Sequence, residues 1–154
     1  MHDHAANPAN LLSATIRNGH PDFLDLPWGH PLDRWSRHTD RLEDLPHGLS
    51  RHPVVFANYD GAVYALKELP ESVAGKEFDL LRRMEERRLP AVLAVGHALV
   101  RAEQGRVSVL ITRYLDRSLP YHALFMRSGL DRYREHLLDA LACLLVQLHL
   151  AGVY

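Results

Sequence analysis

The run Val63-Tyr64-Ala65-Leu66-Lys67 places a lysine within a strongly strand-forming segment. Side chains alternate across a β-strand, so Val63, Ala65 and Lys67 share one face, which is otherwise apolar. An ammonium group on such a face is costly unless it is paired, and Glu77 lies on the apolar side of the helical pattern that follows. We therefore predict an ion pair in which the two side chains approach to about 4 Å. The alternative is a half-exposed strand lysine whose ammonium group reaches water.

The surrounding residues predict a small α+β domain. Residues 54–58 and 62–69 are strand-like, and the Asp60-Gly61 step between them favours a tight hairpin turn. After Pro70 the apolar period becomes helical, and residues 92–100 and 107–114 predict a second hairpin. The helical face consists of Val73, Glu77, Leu80, Leu81 and Met84. A weak strand at residues 42–45 would complete an antiparallel five-stranded sheet with one helix.

The two ends of the chain have different patterns. Residues 1–27 are rich in Asn, Pro and His, and we expect them to form a loosely ordered leader with one short apolar stretch at Leu11, Leu12 and Ile16. The prolines around Trp28 then suggest an extended segment that packs on the domain through its aromatic side chains. Residues 118–125 predict a short helix and residues 130–151 a long one. From Leu137 onward the long helix is apolar nearly all round, which requires neighbours on several sides.

Composition indicates an ordinary soluble domain. The chain has 154 residues, 47% hydrophobic and 24% charged, and a formal charge of −1, which gives no attraction for nucleic acid or an anionic membrane. The single cysteine, Cys143, excludes an internal disulfide and suits the cytoplasm, and we expect it to be buried in its apolar run. That run, residues 137–151, is too short and too polar to span a bilayer and reads as a buried core helix. His2 and His4 are too few ligands for a metal site.

Several runs, taken in order, resemble the protein-kinase-like fold over residues 42–154. Tyr64-Ala65-Leu66-Lys67 resembles the lysine motif of its third strand, and Glu77 resembles the helix glutamate that pairs with that lysine. Residues 109–115 resemble the fifth strand and hinge, and residues 145–153 the end of the helix before the catalytic loop. More closely, the run from residue 45 to the final helix is similar to an actinobacterial domain family of unknown function related to lipopolysaccharide kinases.

The resemblance implies ATP-dependent phosphoryl transfer to a small-molecule or glycan-like hydroxyl, with ATP and Mg as cofactors of the complete protein. Lys67 and Glu77 would then act on the phosphates. The other implied nucleotide contacts are Ala65 above the adenine and the hinge residues Thr112, Arg113, Tyr114 and Leu115 around the base. The loop at residues 46–52 has one glycine where protein kinases use three, so Ser50 is a candidate phosphate contact, with a plain surface turn as the alternative.

The resemblance also implies a division into a leader and extended segment (1–41), a small lobe with hinge (42–117) and the first helices of an incomplete large lobe (118–154). The 154 residues hold no counterpart of the catalytic-loop aspartate and asparagine or of the metal-binding aspartate, so no catalytic residue is assigned. We expect no turnover and weak or absent nucleotide binding.

Two other functions remain open. The first is a non-catalytic, pseudokinase-like interaction module whose helix at 130–151 docks on a missing large lobe, a second chain or a partner protein. The second is a plain structural domain with a fortuitous lysine.

Overall fold

The computed structural model describes residues 8–46, 50–116, 126, 129 and 131–153. The chain divides into two compact units. The first comprises the residues up to Arg82 together with Val92–Tyr114, and the second comprises Arg83–Ala91 and the residues from Leu115 onward.

The first unit is built on an antiparallel six-stranded sheet with one long helix, which confirms the α+β class. Its strands follow the order β1-β5-β6-β4-β3-β2. The elements are β1 (Leu11–Ile16), β2 (Leu42–Glu43), β3 (Val54–Tyr59), β4 (Ala62–Pro70), α1 (Val73–Glu86), β5 (Ala94–Ala102) and β6 (Gly105–Arg113). Both predicted hairpins and the weak strand near residue 42 are present.

The turn between β3 and β4 has the predicted chemistry. Asp60 and Gly61 have φ values of 53° and 82°, the left-handed region that an Asp-Gly step adopts with little strain. The amide of Gly61 donates a 2.8 Å hydrogen bond to the Asn58 side chain. This turn sets the β3–β4 register, in which Val54 lies opposite Lys67.

The sheet has six strands rather than five because residues from the predicted leader form β1. This strand pairs with β5 at the edge of the sheet, with Ile16 opposite Gly96. The expectation of a loosely ordered chain through residue 27 is therefore wrong for Leu11–Ile16 and for the buried Phe23 and Leu26. The apolar stretch at residues 11–16 was the signal, but it was too short and too isolated to show that it pairs with a distant strand.

An aromatic segment, residues 23–35, covers the face of the sheet opposite α1, which we call the outer face. Its packing through aromatic side chains was predicted, but Leu32–Arg37 form a 3-10 helix rather than extended chain. The indole rings of Trp28 and Trp35 pack edge to face at 5.1 Å, and both residues are almost fully buried. Each indole N–H donates a 2.8 Å hydrogen bond to a backbone carbonyl, Trp28 to Phe23 and Trp35 to His30. Burial of these large rings with their polar atoms satisfied supplies much of the core on this face.

Polar side-chain contacts hold the same segment to β3. The Tyr59 hydroxyl donates to one oxygen of Asp25 at 2.5 Å, and Arg41 donates to the other at 2.8 Å while its guanidinium lies 4.4 Å from the Tyr59 ring centroid. Burial first, and then the hydrogen bond to Asp25, raise the pKa of Tyr59.

Helix α1 packs on the opposite face of the sheet through a face that overlaps the predicted one in part, since Val73 and Leu81 pack against the core there. Ala74 and Phe78, one turn apart, are the residues it buries, whereas Leu80 is exposed. The amide of Ala74 donates to the buried Ser108 hydroxyl at 3.1 Å, which fixes the start of the helix on β6. Sequence periodicity found the helix but turned its apolar stripe too far toward Leu80 and Met84.

The second unit contains α2 (Arg134–Leu150), preceded by a 3-10 turn at Asp131–Tyr133. None of the α2 residues is buried, so the expectation of a buried core helix is wrong for this structure. Cys143, expected to be buried, is exposed. The short helix predicted at 118–125 lies outside the described residues. In the part of the chain that the structure describes, no helix is long and apolar enough to cross a membrane.

Candidate functional site

The predicted ion pair between β4 and α1 is present. The Lys67 Nζ lies 4.0 Å from Glu77 Oε2, and the two side chains are 37% and 39% exposed. Both charged groups therefore remain in contact with solvent, and the snorkelling that was the alternative occurs together with the pairing. At this exposure the ion pair contributes little to the stability of the fold. Both charged groups are therefore available to bind a ligand.

Strand alternation and the β4–α1 connection bring the two residues together. Tyr64 and Leu66 are buried in the aromatic core on the outer face, so Ala65 and Lys67 lie on the α1 face. β4 ends at Pro70 and α1 starts at Val73, so Glu77 stands one turn into the helix, beside the strand that carries Lys67.

A cavity of about 420 Å³ lies beside the ion pair, within the first unit. Lys67 and Glu77 are its charged lining residues, and Thr112 contributes the other polar side chain. Its apolar walls are formed by Val54, Ala65, Leu80, Leu81, Val92 and Leu110. A volume in this range with apolar walls and a few convergent polar groups is typical of a small-molecule site.

Five of these six apolar wall residues were not predicted from the sequence to line a site. Val54 and Leu110 were predictable, because both lie opposite Lys67 on neighbouring strands and so share its face. Leu80 and Leu81 were predicted as core residues of the helix; Leu81 does pack against the core, whereas Leu80 is exposed, and both also line the cavity.

The hinge residues divide between the two faces of the sheet. Thr112 lines the cavity, whereas the Arg113 guanidinium lies 5.0 Å from the Tyr64 ring centroid on the outer face. The amides of Arg113 and Tyr114 donate hydrogen bonds of 2.9 and 3.0 Å to Leu93 and Val63, so both are used within the sheet. Leu115 belongs to the second unit.

Ser50 forms a local turn. Its hydroxyl donates to the carbonyl of His52 at 2.8 Å and accepts from the amide of the same residue at 3.2 Å. Residues 47–49 of the same loop lie outside the described residues. The structure thus brings Ala65, Lys67, Glu77 and Thr112 together at one cavity, and it places Ser50 in a turn with bonding of its own.

The residues present fit a nucleotide base better than they fit a metal. Among the residues that the structure describes, no three His, Cys, Asp or Glu side chains come together in a group that could hold a metal ion. Glu77 is the carboxylate that lines the cavity, and it is paired with Lys67. The apolar walls suit a flat heterocycle, and the lysine ammonium suits an anionic group attached to it.

No curated protein sequence matches the chain. A solved structure described as "WaaP in complex with acyl carrier protein" is similar with a TM-score of 0.47 and 16% sequence identity, over 79% of this chain and 48% of that one. The chain therefore spans about half the length of that protein.

The model of the "Lipopolysaccharide kinase (Kdo/WaaP) family" matches residues 61–154, which is more than half of the chain. The matched region begins at the β3–β4 turn and includes both members of the ion pair. Lys67 and Glu77 were two of the features that carried the resemblance in the sequence, and the structure pairs them beside a cavity. The chain belongs to the lipopolysaccharide kinase (Kdo/WaaP) family.

Proposed function

We propose that this chain provides the nucleotide-binding part of a cytoplasmic, ATP-dependent phosphotransferase that acts on a small-molecule or glycan-like hydroxyl. Its family makes a kinase-like phosphotransferase the reaction class. The observation that carries the proposal is the Lys67–Glu77 pair, 4.0 Å apart beside a cavity of about 420 Å³.

Each cavity residue has a role that its chemistry suits. Lys67 binds the phosphates as a point charge, and Glu77 holds the ammonium in place from α1. Ala65 is small enough to let a flat base lie against β4, and Thr112 offers a hydroxyl at the base edge. The hinge residues Arg113 and Tyr114, whose amides are used within the sheet, act through their backbone carbonyls in this proposal, and Leu115 also contacts the base. Ser50 is proposed as a further phosphate contact.

The 154 residues alone are proposed not to turn over. Phosphoryl transfer needs carboxylates that hold Mg and accept the hydroxyl proton. The cavity contributes one carboxylate, Glu77, whose partner is Lys67. Binding of ATP with Mg should therefore be weak, because base and phosphate contacts remain while the described residues form no group of carboxylates that could hold the metal.

Calorimetry with ATP and Mg tests this proposal. We expect saturable binding with a Kd between about 10 μM and 1 mM, or about −4 to −7 kcal/mol. Absence of binding at several times that concentration would remove the nucleotide role. Sub-micromolar affinity, or phosphate release above the buffer rate, would show that the site is more complete than proposed.

The second candidate function is a non-catalytic interaction module, and α2 is the observation that favours it. Leu138, Leu141 and Leu145 fall on one stripe of the helix and are each about half exposed. Burying a leucine is worth roughly 1.5–3 kcal/mol, so a partner or second copy that covered them would gain several kcal/mol. We expect the purified chain to self-associate at micromolar concentration.

Sedimentation of a Leu141→Glu variant tests this second function, with Glu135→Gln on the same helix as the matched control. Loss of self-association in the first variant only would support docking through this stripe. A wild-type chain that sediments as a compact monomer, with the helix amides strongly protected from hydrogen exchange, would contradict it. Nucleotide binding is measured separately, so the two functions can fail independently.

A further inference from the structure

A second cavity lies on the outer face of the sheet, opposite the one that holds Lys67. It is smaller, about 140 Å³, and more enclosed, and it forms where the aromatic segment crosses the ends of β5 and β6. Its floor is apolar and contains both indole rings. The floor residues are Trp28, Leu32, Trp35, Val100, Val107 and Val109.

The size of this cavity limits what it can hold. An apolar protein cavity of about 150 Å³ accommodates benzene, so this one can take a single aromatic ring or a branched aliphatic group. A nucleotide is too large for it. The cavity is therefore separate from the proposed ATP site both in position and in capacity.

Charges of both signs surround the opening. Arg34 and Arg101 stand at the rim together with Glu68 and Glu103. Glu68 is half-buried on β4, whereas the other three are exposed. Two cations and two anions give little net field, so a polyanion gains nothing here. A ligand that carries one ammonium and one carboxylate can satisfy both signs at once.

We propose that this outer cavity binds a zwitterionic small molecule with one benzene-sized apolar group, of the chemical class of a free aromatic amino acid. The ring lies against Val107, the partly exposed residue of the floor, with the buried indole rings of Trp28 and Trp35 behind it. The ammonium group faces Glu68 and Glu103, and the carboxylate faces Arg34 and Arg101. The proposal does not depend on nucleotide binding.

Intrinsic fluorescence reports on this site selectively, because Trp28 and Trp35 are the two tryptophans of the chain and both line the cavity. The probe is L-phenylalanine, which does not emit at indole wavelengths. Benzylamine and benzoate, which carry one charge each, serve as comparison ligands. We expect a saturable change in tryptophan fluorescence with a Kd of about 1 mM or tighter for L-phenylalanine. Benzylamine and benzoate should each bind at least about tenfold more weakly.

Variants separate this site from surface effects. Val107→Phe places a ring in the cavity from β6 and should abolish the response, with far-UV circular dichroism confirming the fold. Glu68→Gln should weaken L-phenylalanine at least about threefold while leaving benzoate unchanged. Arg106→Gln, a charge change at a neighbouring residue that does not line the cavity, is the matched control and should behave as wild type.

Three results would overturn the proposal. They are a response that does not saturate, equal binding of all three probes, and unchanged L-phenylalanine binding in a folded Val107→Phe variant. None of these results would affect the calorimetric test of ATP binding, since that site lies on the other face of the sheet.

Discussion

Replacing Lys67 by methionine should separate its binding role from any structural role. Methionine keeps the length and apolar stem of the side chain and removes the charge. At 4.0 Å, two unit charges interact by about 1 kcal/mol in bulk water and about 4 kcal/mol at an effective dielectric constant of 20. Both side chains are more than one third exposed, so the lower figure applies, and the stability loss should stay below about 1 kcal/mol.

The effect on nucleotide binding should be larger. A hydrogen bond to a charged group is worth about 1.5–3 kcal/mol, so loss of the Lys67 contact with the phosphates should weaken ATP about 10- to 100-fold. Lys76→Met is the matched control, because Lys76 is an exposed lysine of α1 that does not line the cavity. Urea denaturation measures the stability change, and calorimetry measures the change in affinity.

A labelling assay tests the same prediction in the unaltered protein. Lys67 and Lys76 are the two lysines of the chain, so acylation by an acyl-phosphate derivative of ATP can be assigned by mass spectrometry without ambiguity. We expect faster labelling of Lys67 that excess ATP suppresses, and slow labelling of Lys76 that ATP does not change. Equal rates without ATP protection, or a Lys67→Met variant that binds as well as Lys76→Met, would refute the reasoning.

Two further predictions concern the fold. In Gly96→Ala the new Cβ would lie 2.5 Å from the Thr15 carbonyl oxygen, so β1 should separate from β5 at a cost of about 1–3 kcal/mol, seen as faster hydrogen exchange at residues 11–16. Gly75→Ala, whose Cβ would meet His97 at an ordinary 3.6 Å, is the control and should be neutral or stabilising; equal destabilisation of both variants would contradict the argument. Because the pKa of Tyr59 is raised in the folded state above its unfolded value of about 10, stability is fully present below that pH and should fall above it by about 1.4 kcal/mol per pH unit. Urea midpoints at about pH 9 and pH 11 check this, and a Tyr59→Phe variant with the same alkaline loss would show that another group is responsible.

Local pattern predicted the elements that depend on local chemistry. The Asp60-Gly61 turn was readable because few residue pairs adopt positive φ without strain, and the hairpin it joins was found almost to the residue. β1 was missed because its partner, β5, lies about 80 residues away, and a six-residue strand with mostly exposed side chains carries little signal of its own. Gly96, the residue that makes room for β1, gave no sequence signal of that role.

In the candidate site, too, local pattern predicted some residues and missed those whose positions depend on tertiary packing. Lys67 and Glu77 were placed together because their faces follow from periods of two and of 3.6 residues. The cavity wall formed by Leu80 and Leu81 could not be predicted, since it depends on the rotation of α1, which Ala74 and Phe78 fix by packing on the sheet. Shifting the apolar stripe of the helix by one residue changes the sequence pattern little. The same shift decides whether a leucine faces the core or a ligand cavity.

β4 shows why the register of one strand matters for both proposed sites. Leu66 is fully buried in the aromatic core and Glu68 stands at the outer cavity, while Lys67, between them, faces α1. A slip of one residue would move Lys67 into the aromatic core and Leu66 to the proposed nucleotide cavity, so packing on each face opposes a slip of the strand. The two-residue turn at Asp60-Gly61 fixes the same register locally. The position of Lys67 therefore depends on the strand register that packing of Tyr64 and Leu66 on the opposite face helps to maintain.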